Sequence, residues 1–250
     1  MSDLQLGLQG LRAWYRRWRN ARRIGVSYTR GKAYVLPSAL RVGEHALALS
    51  LPRENGIVVA FADIFFDDCY GLTTHFAGAR FESVLDIGAN VGLFSLAARL
   101  SFPEAIIHAY EPNACLAPYL SSQAAAGIFS FFLDAVARAP GRVALALNPE
   151  SVFTSTTAAP DGAVHQVAFS AAVAHLGDEV GLVKMDCEGA GWEILSDRDT
   201  WKRVTALTME YHLVGGRNHQ DAPKVIGDLG FRILAHMPSI GCGIVIAKRG

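Results

Sequence analysis

The chain has few cysteines, no net charge and no long apolar run. Its four cysteines, Cys69, Cys115, Cys187 and Cys242, lack the short paired spacings of a zinc site or a small disulfide framework. Lysine plus arginine and aspartate plus glutamate number 23 each, so no global field attracts nucleic acid or an acidic membrane. No window approaches the roughly 20 apolar residues of a membrane span, and charges interrupt any secretory signal. We therefore expect a cytoplasmic protein without a membrane span or a nucleic-acid partner, and a homo-oligomer is compatible with the sequence.

Residues 4–23 predict a basic amphipathic helix. Six arginines are interleaved with apolar residues at near-helical spacing, namely Leu4, Leu8, Leu11, Trp14, Tyr15 and Trp18. The favoured interpretation is a peripheral helix whose aromatic face packs on the domain while its arginines stay in water. Contact with RNA, a membrane surface or a partner is the alternative.

The segment from Val26 to Ala60 predicts a β-rich extension. Short β-type runs at Ala33–Leu36, Ala46–Leu51 and Ile57–Ala60 are separated by prolines and by an Asn-Gly pair, which favours hairpins. Together with the helix, this segment forms a predicted N-terminal extension over residues 1–60. The main domain is then expected over residues 61–250.

From Phe81 onward, apolar runs alternate with alanine-rich helical segments, which indicates a parallel sheet covered by helices. The fold class is therefore α/β. Seven strands are predicted, at Ser83–Asp86, Ile106–Tyr110, Ser130–Ala135, Leu182–Asp186, Ala206–Tyr211, Arg232–Ala235 and Gly243–Ala247. Two further extended segments, Arg142–Leu147 and Val164–Phe169, lie between the third and fourth strands around a Ser/Thr-rich loop, Ser151–Thr157.

A glycine-rich turn follows the first of these strands. Gly88 supplies a backbone conformation that side chains forbid, Asn90 tolerates a left-handed conformation, and Gly92 permits close approach of the helix. In a dinucleotide fold such a turn receives a pyrophosphate, but there the strand usually runs straight into glycine. Here Asp86 precedes the first glycine. Its carboxylate would repel a pyrophosphate and can interact with a cationic methionyl group.

The second strand ends in an acid placed to bind ribose. Glu111 stands 25 residues after Asp86, at the carboxyl edge of the predicted sheet, where it can accept hydrogen bonds from both ribose hydroxyls. Pro112 ends the strand, and Asn113 can cap the next helix. The turn and the acid together predict nucleoside binding.

These residues resemble the FkbM-type methyltransferases, a branch of the enzymes that use S-adenosylmethionine. Three segments carry the resemblance: Asp86–Gly92 with Glu111–Asn113, then Val183–Ala190, and finally Met209–His212. The resemblance implies a Rossmann-like seven-stranded sheet in the order 3-2-1-4-5-7-6, with the last strand antiparallel and helices on both faces. It also implies S-adenosylmethionine as cofactor, S-adenosylhomocysteine as product and a small-molecule hydroxyl, in a natural product or sugar, as methyl acceptor.

The same resemblance implies which residues contact the methionine, the ribose and the adenine of S-adenosylmethionine. The cofactor-binding residues are expected to be Asp86, Gly88, Ala89, Asn90, Gly92, Glu111, Pro112, Asp134, Ala135 and Asp186. One departure stands out, since the family usually has a second glutamate where this chain has Gly191.

The candidate catalytic residues lie at the ends of the fourth and fifth strands. His212 is the first candidate for general base, because an imidazole exchanges protons near neutral pH. Asp186 and Glu188 could orient the acceptor or remove a proton, and their structural alternative is to cap the following helix. With Glu210 the same residues could hold Mg²⁺, which the sequence permits but does not favour.

Two other functions remain open at the level of sequence. A nicotinamide-dependent oxidoreductase is disfavoured by Asp86 and by the absence of a full G-x-G-x-x-G motif. An RNA-directed methyltransferase or a binding module would use the arginine-rich N-terminal helix, and it would bind nucleic acid in a strongly salt-dependent way.

Overall fold

The computed structural model describes residues 3–29, 34–42, 45–125, 127–187 and 190–250. The chain begins with a long helix, α1 (Asp3–Arg23), in agreement with the predicted amphipathic helix. A two-stranded antiparallel hairpin follows, formed by β1 (Ala39–Val42) and β2 (His45–Ala48). Next come α2 (Asn55–Phe61) and a π-helical turn (Ala62–Phe66). No helix within the described ranges is long and apolar enough to cross a bilayer.

The N-terminal extension differs from the predicted set of strands. The predicted strand Ile57–Ala60 is wrong, because these residues lie in α2. Ile57 and Phe61 are one helical turn apart and both are fully buried, so packing of this face outweighs the β-propensity of the Ile-Val-Val run. The predicted strand Ala46–Leu51 is shorter and ends at Ala48. Residues 34–36 are not in a strand, and Ala33 lies outside the described residues.

A seven-stranded sheet forms the centre of the molecule. Its members in chain order are β3 (Ser83–Ile87), β4 (Ile106–Tyr110), β5 (Ser130–Phe132), β10 (Val180–Met185), β11 (Val204–His212), β12 (Phe231–Pro238) and β13 (Cys242–Arg249). Their spatial order is β5-β4-β3-β10-β11-β13-β12. The strand β13 runs antiparallel to both of its neighbours, and the pairs from β5 to β11 are parallel. The predicted order 3-2-1-4-5-7-6 with an antiparallel last strand is therefore confirmed.

Helices cover both faces of this sheet. They are α3 (Leu93–Ser101), α4 (Ala117–Ala124), α5 (Phe169–Ala174), α6 (Gly191–Ile194), α7 (Arg198–Trp201) and α8 (Asp221–Asp228). Alternate residues of one strand enter different cores: Val84 packs with α3 and the N-terminal segment, and Leu85 packs with α5 and α8. Ala21 and Leu40 belong to the core that contains Val84, so the N-terminal segment shares apolar packing with the sheet.

The insertion between the third and fourth strands of the main sheet forms a second, four-stranded sheet. Its strands are β6 (Ala135–Ala137), β7 (Gly141–Ala146), β8 (Ser155–Ala158) and β9 (Val164–Ala168), in the order β6-β9-β7-β8. The single predicted strand Ser130–Ala135 is thus divided between the two sheets. Asp134 lies at the break, immediately before β6, and Ala135 begins the second sheet.

Candidate functional site

The turn after β3 is held against the ends of two neighbouring strands. Gly88, Asn90 and Gly92 all have positive φ, at 74°, 49° and 83°. The backbone N–H groups of Gly88 and Ala89 both donate to the carbonyl of Tyr110, at 3.0 Å. A Cβ atom on Gly88 would lie only 1.8 Å from the carbonyl oxygen of Asp186. Only glycine therefore fits this close approach of two strand ends.

Glu111 lies directly beside this turn. One of its carboxylate oxygens accepts the N–H of Asn90 at 2.8 Å, and the other accepts the N–H of Asn113 at 2.8 Å. Burial raises the pKa of Glu111, while these two N–H donors act in the opposite direction. A carboxylate offers about four lone-pair positions, so each oxygen can accept one more hydrogen bond from a ligand.

A buried lysine lies beneath the turn. Lys184, on β10, is 3% exposed, and its ammonium donates to the carbonyl of Gly88 at 2.6 Å. The same nitrogen lies 3.2 Å from a carboxylate oxygen of Asp86 and 3.7 Å from one of Asp186. Burial alone would lower the pKa of Lys184, but the two carboxylates hold it above its usual value. The ammonium therefore links β3, the glycine turn and β10.

The two carboxylates beside Lys184 have different exposures. Asp86 is fully buried, and its second oxygen accepts the hydroxyl of Ser95 at 2.7 Å. Asp186 is part-exposed and accepts the hydroxyl of Tyr70 at 2.9 Å. Burial, followed by the charge of Asp186, raises the pKa of Tyr70 well above its usual value, so this hydroxyl keeps its proton. Asp186 can therefore meet a ligand, whereas Asp86 acts through Lys184 and Ser95.

A cavity of about 990 Å³ opens at this edge of the sheet. Its walls include the carboxyl ends of β3, β4, β10 and β11, where an open α/β sheet commonly binds ligands. Eight of the predicted site residues line it, namely Gly88, Ala89, Asn90, Glu111, Pro112, Ala135, Asp186 and His212. The volume lies at the upper end of the range of ligand pockets, roughly 300–1,000 Å³, which leaves space for a nucleoside and a second small molecule.

Four predicted site residues are not among those lining the cavity. Asp86 is fully buried, and Gly92 immediately precedes α3 and lies against the ring of Phe129. Asp134 instead faces His165, with a carboxylate oxygen 3.0 Å from the imidazole Nδ1. Glu188 lies outside the described residues.

His212 and Glu210 project from the end of β11 toward the cavity. Residues two apart on a strand share one face, and both side chains line this space. The imidazole Nε2 of His212 lies 3.7 Å from a carboxylate oxygen of Glu210. The backbone carbonyl of His212 accepts the indole N–H of Trp192 at 3.0 Å, which fixes the end of the strand.

One wall of the cavity comes from segments far apart in the sequence. The carboxylate of Glu150 accepts the N–H of Gly56 at 2.6 Å, and the carboxylate of Glu54 accepts the N–H of Ser151 at 2.6 Å. The hydroxyl of Ser151 also lies 3.3 Å from the amide nitrogen of Asn90. The Ser/Thr-rich loop and the start of α2 thus meet over the glycine turn.

The charged side chains that line the cavity are mostly negative. Five carboxylates line it, belonging to Asp63, Glu111, Glu150, Asp186 and Glu210, and Lys184 is the single lysine among the described lining residues. Burial, followed by the neighbouring Asp67, raises the pKa of Asp63. Within the described residues, no group of three or more His, Cys, Asp or Glu side chains is arranged to hold a metal ion.

Sequence reasoning missed two contributors to this site. Lys184 has no predicted role, although a lysine inside an apolar central strand is itself a signal, because lysine is rarely buried without a partner. Tyr70 is not among the predicted site residues, yet its hydroxyl donates a hydrogen bond to Asp186. No pattern in the sequence indicates the contacts of Glu54 and Glu150, since they join segments about 95 residues apart.

Neither a protein-family model nor a curated protein sequence matches this chain. Among solved structures, it is similar to the magnesium protoporphyrin IX methyltransferase of Synechocystis PCC 6803 with bound S-adenosylmethionine, at 13% identity and a TM-score of 0.49, over 96% of this chain and 91% of that chain. It is also similar to precorrin-6y C5,15-methyltransferase of Geobacter metallireducens, at 14% identity and a TM-score of 0.45, over 74% and 89% of the two chains. A third similar structure is an O-methyltransferase family protein of Burkholderia thailandensis, at 11% identity and a TM-score of 0.45, over 78% of this chain and 59% of that chain. The strand order of the central sheet is that of the Rossmann-like fold predicted from the sequence.

Proposed function

We propose that this chain is an S-adenosylmethionine-dependent methyltransferase that methylates a hydroxyl oxygen of a small molecule. The observation that carries the proposal is the carboxylate-rich cavity at the carboxyl edge of the sheet, with Glu111 fixed beside the glycine turn. This arrangement suits a ligand that has ribose hydroxyls at one end and positive charge at the other.

The ribose part of the proposal rests on Glu111. Its two backbone contacts hold both carboxylate oxygens in place, and each oxygen retains capacity for one hydroxyl donor. Hydrogen bonds to a charged acceptor contribute about 1.5–3 kcal/mol each. Two such bonds from a ribose would therefore account for a large part of the affinity for a nucleoside.

The charge of the cavity favours a cationic nucleoside over a dinucleotide. Lys184 is directed to Gly88, Asp86 and Asp186 and is not aimed at a bound phosphate. Two unit charges about 5 Å apart interact by about 3 kcal/mol at an effective dielectric constant near 20. The pyrophosphate of a nicotinamide dinucleotide would meet repulsion of this order, whereas a sulfonium and an ammonium would be attracted.

S-adenosylmethionine would supply a methyl group on its sulfonium sulfur: the acceptor oxygen would attack the methyl carbon in line, and the carbon–sulfur bond would break to release S-adenosylhomocysteine. The protein then has to align the acceptor, exclude water and receive a proton. We assign His212 as the base for two reasons. Its imidazole lines the cavity, and the carboxylate of Glu210 lies 3.7 Å from the imidazole Nε2, where it would stabilise a proton taken up by His212. Asp186, fixed by Tyr70, is placed to orient the acceptor or the donor ammonium.

Membership of the FkbM-type branch is part of this proposal. Its support is that the three motif segments end at one edge of the sheet, with Glu111, Asp186 and His212 around one cavity. Mg²⁺ has no assigned place in the proposed reaction. A small acceptor is proposed because the cavity has walls of α2 and of the Ser/Thr-rich loop over the turn.

Calorimetric titration with S-adenosylhomocysteine and S-adenosylmethionine tests the proposal directly. The wild-type chain should bind both ligands, and Glu111→Ala should weaken binding by at least about a hundredfold, since two charge-assisted hydrogen bonds are lost. The matched control is Glu82→Ala, which removes an exposed carboxylate at the opposite end of β3. This control should bind as the wild type does.

Failure of the wild type to bind either nucleoside, or tighter binding of a nicotinamide dinucleotide, would overturn the proposal. If the wild type binds S-adenosylmethionine, the acceptor is identified by incubating the protein and this ligand with hydroxylated metabolites and measuring a mass gain of one methyl group. With an acceptor in hand, His212→Ala should flatten the pH profile of methyl transfer while leaving S-adenosylhomocysteine affinity unchanged.

A further inference from the structure

The N-terminal helix packs on the domain through the buried Ala21 and through a set of polar contacts. Arg17 donates twice to the carboxylate of Asp67, once from Nε at 2.8 Å, and Arg16 lies 3.2 Å from the same carboxylate. The amide of the buried Asn20 donates to the carbonyl of Phe66 at 2.9 Å. These contacts fix the inner face of α1 against the π-helical turn.

The opposite side of α1 carries apolar and aromatic side chains outward. Leu11 is 49% exposed and Tyr15 is 55% exposed. Trp18 is half-buried, stacks with Tyr15 at 5.8 Å and lies 4.9 Å from the guanidinium of Arg22. The spacing from Leu11 to Arg22 is i, i+4, i+7 and i+11, so these residues form one stripe along the helix.

This arrangement differs from the one expected of a peripheral amphipathic helix. Two arginines face the domain, while Leu11 and Tyr15 face outward. The exposed Arg12 and Arg19 flank the stripe, and residues 12–23 contain six arginines and no acid. The outward surface is therefore both apolar and basic, and packing on the domain does not account for it.

We propose that this outer face of α1, formed by Leu11, Arg12, Tyr15, Trp18, Arg19 and Arg22, docks on an anionic lipid bilayer, with the helix lying in the plane of the surface. Tryptophan and tyrosine favour the interface between lipid headgroups and acyl chains. Leucine enters the acyl boundary, and arginines beside it attract anionic lipids. The polar contacts on the inner face keep the domain attached while the outer face is in contact with lipid.

Two other occupants fit this surface less well. A second copy of the helix would place the arginine-flanked stripes against each other with no acid between them, and like charges across such a seam repel. A nucleic acid would use the arginines and could stack on the rings. It would leave Leu11 without an apolar environment, which lipid supplies.

Co-sedimentation of the full chain with vesicles tests this proposal. Vesicles of phosphatidylcholine mixed with phosphatidylglycerol should retain the protein, and vesicles of phosphatidylcholine alone should retain much less. Arg12→Gln/Arg19→Gln should weaken partitioning about thirtyfold, since each basic residue near an anionic surface contributes about 1 kcal/mol. Leu11→Ser/Tyr15→Ser should weaken it at both low and high salt, because the lost contribution is apolar.

The matched control is Arg53→Gln/Arg232→Gln, which removes two exposed arginines away from α1 and should partition as the wild type does. Unchanged thermal unfolding of each variant shows that folding is intact. Equal partitioning to anionic and neutral vesicles overturns the proposal, as does wild-type binding by both α1 variants. Binding to a single-stranded oligonucleotide without binding to vesicles, or a dimer that Leu11→Ser/Tyr15→Ser dissociates in the absence of vesicle binding, also overturns it.

Discussion

Removal of the buried ammonium beneath the glycine turn should have a large effect on stability. Lys184→Met keeps an unbranched side chain, one atom shorter and without charge, and leaves Asp86, which is fully buried, without its cationic partner. Removing one partner of a buried pair typically costs about 3–5 kcal/mol, because the other charge stays buried and uncompensated. A domain is stable by only about 5–15 kcal/mol in total, so we expect a large fall in the urea midpoint.

The pH dependence of this contribution follows from the direction of the shift. The pKa of Lys184 in the folded chain is raised above the ordinary value of 10.5. The contribution of Lys184 to the free energy of unfolding is therefore complete below pH 10.5. It is lost as the pH rises through the pKa that Lys184 has in the folded chain. At neutral pH the free energies of unfolding of the wild type and of Lys184→Met should therefore differ by the full amount of about 3–5 kcal/mol.

Two comparisons decide whether the charge pair is responsible. Lys202→Met removes an exposed ammonium that lies 2.7 Å from the exposed Asp199, and it should leave the urea midpoint unchanged. The double variant Lys184→Met/Asp86→Asn removes both charges. Its loss of unfolding free energy should be much smaller than the sum of the losses caused by Lys184→Met and by Asp86→Asn alone. If Lys184→Met behaves like Lys202→Met, or if the two single losses simply add, the reasoning is refuted.

Three further outcomes are expected. Gly88→Ala should lower the free energy of unfolding by more than about 2 kcal/mol and abolish nucleoside binding, because the new Cβ would lie 1.8 Å from the carbonyl oxygen of Asp186. Chemical denaturation measures the loss of stability, and calorimetry measures the loss of binding. Burial raises the pKa of Glu111 above 4.5, so S-adenosylhomocysteine affinity should fall on acidification before pH 4.5 is reached, as the ligand needs the ionised carboxylate; an affinity independent of pH would contradict this. Asp67→Asn should speed tryptic cleavage after Arg17 several-fold, because α1 loses its charged contacts.

The sheet could be predicted from the sequence because its signals are local and repeated. Each of the seven strands is a short apolar run, and the resemblance to a known family supplied their order, which the structure confirms. Ile57–Ala60 shows where local signals fail. Its branched side chains favour a strand, but the burial of Ile57 and Phe61 on one face requires a helix.

The site could be predicted only where its residues follow strands. Glu111, Asp186 and His212 stand at strand ends, so their common edge follows from the parallel sheet. Asp134 also follows a strand, but the chain turns there into a second sheet and its carboxylate faces His165. The function of Lys184 depends on three partners from two strands and a turn, and no sequence spacing encodes that combination.

The contacts of Glu54 and Glu150 have a consequence for how substrate choice can change. The sheet supplies the edge where the nucleoside is proposed to bind, while α2 and the insertion supply a separate wall joined by hydrogen bonds from carboxylates to backbone N–H groups. Cutting the chain before residue 61 would leave one side of the cavity open. A graft of residues 54–61 from a related chain would replace that side without altering any strand of the main sheet. Under the proposed function, acceptor preference could therefore change by exchange of one short segment, while the part proposed to hold the methyl donor is inherited intact.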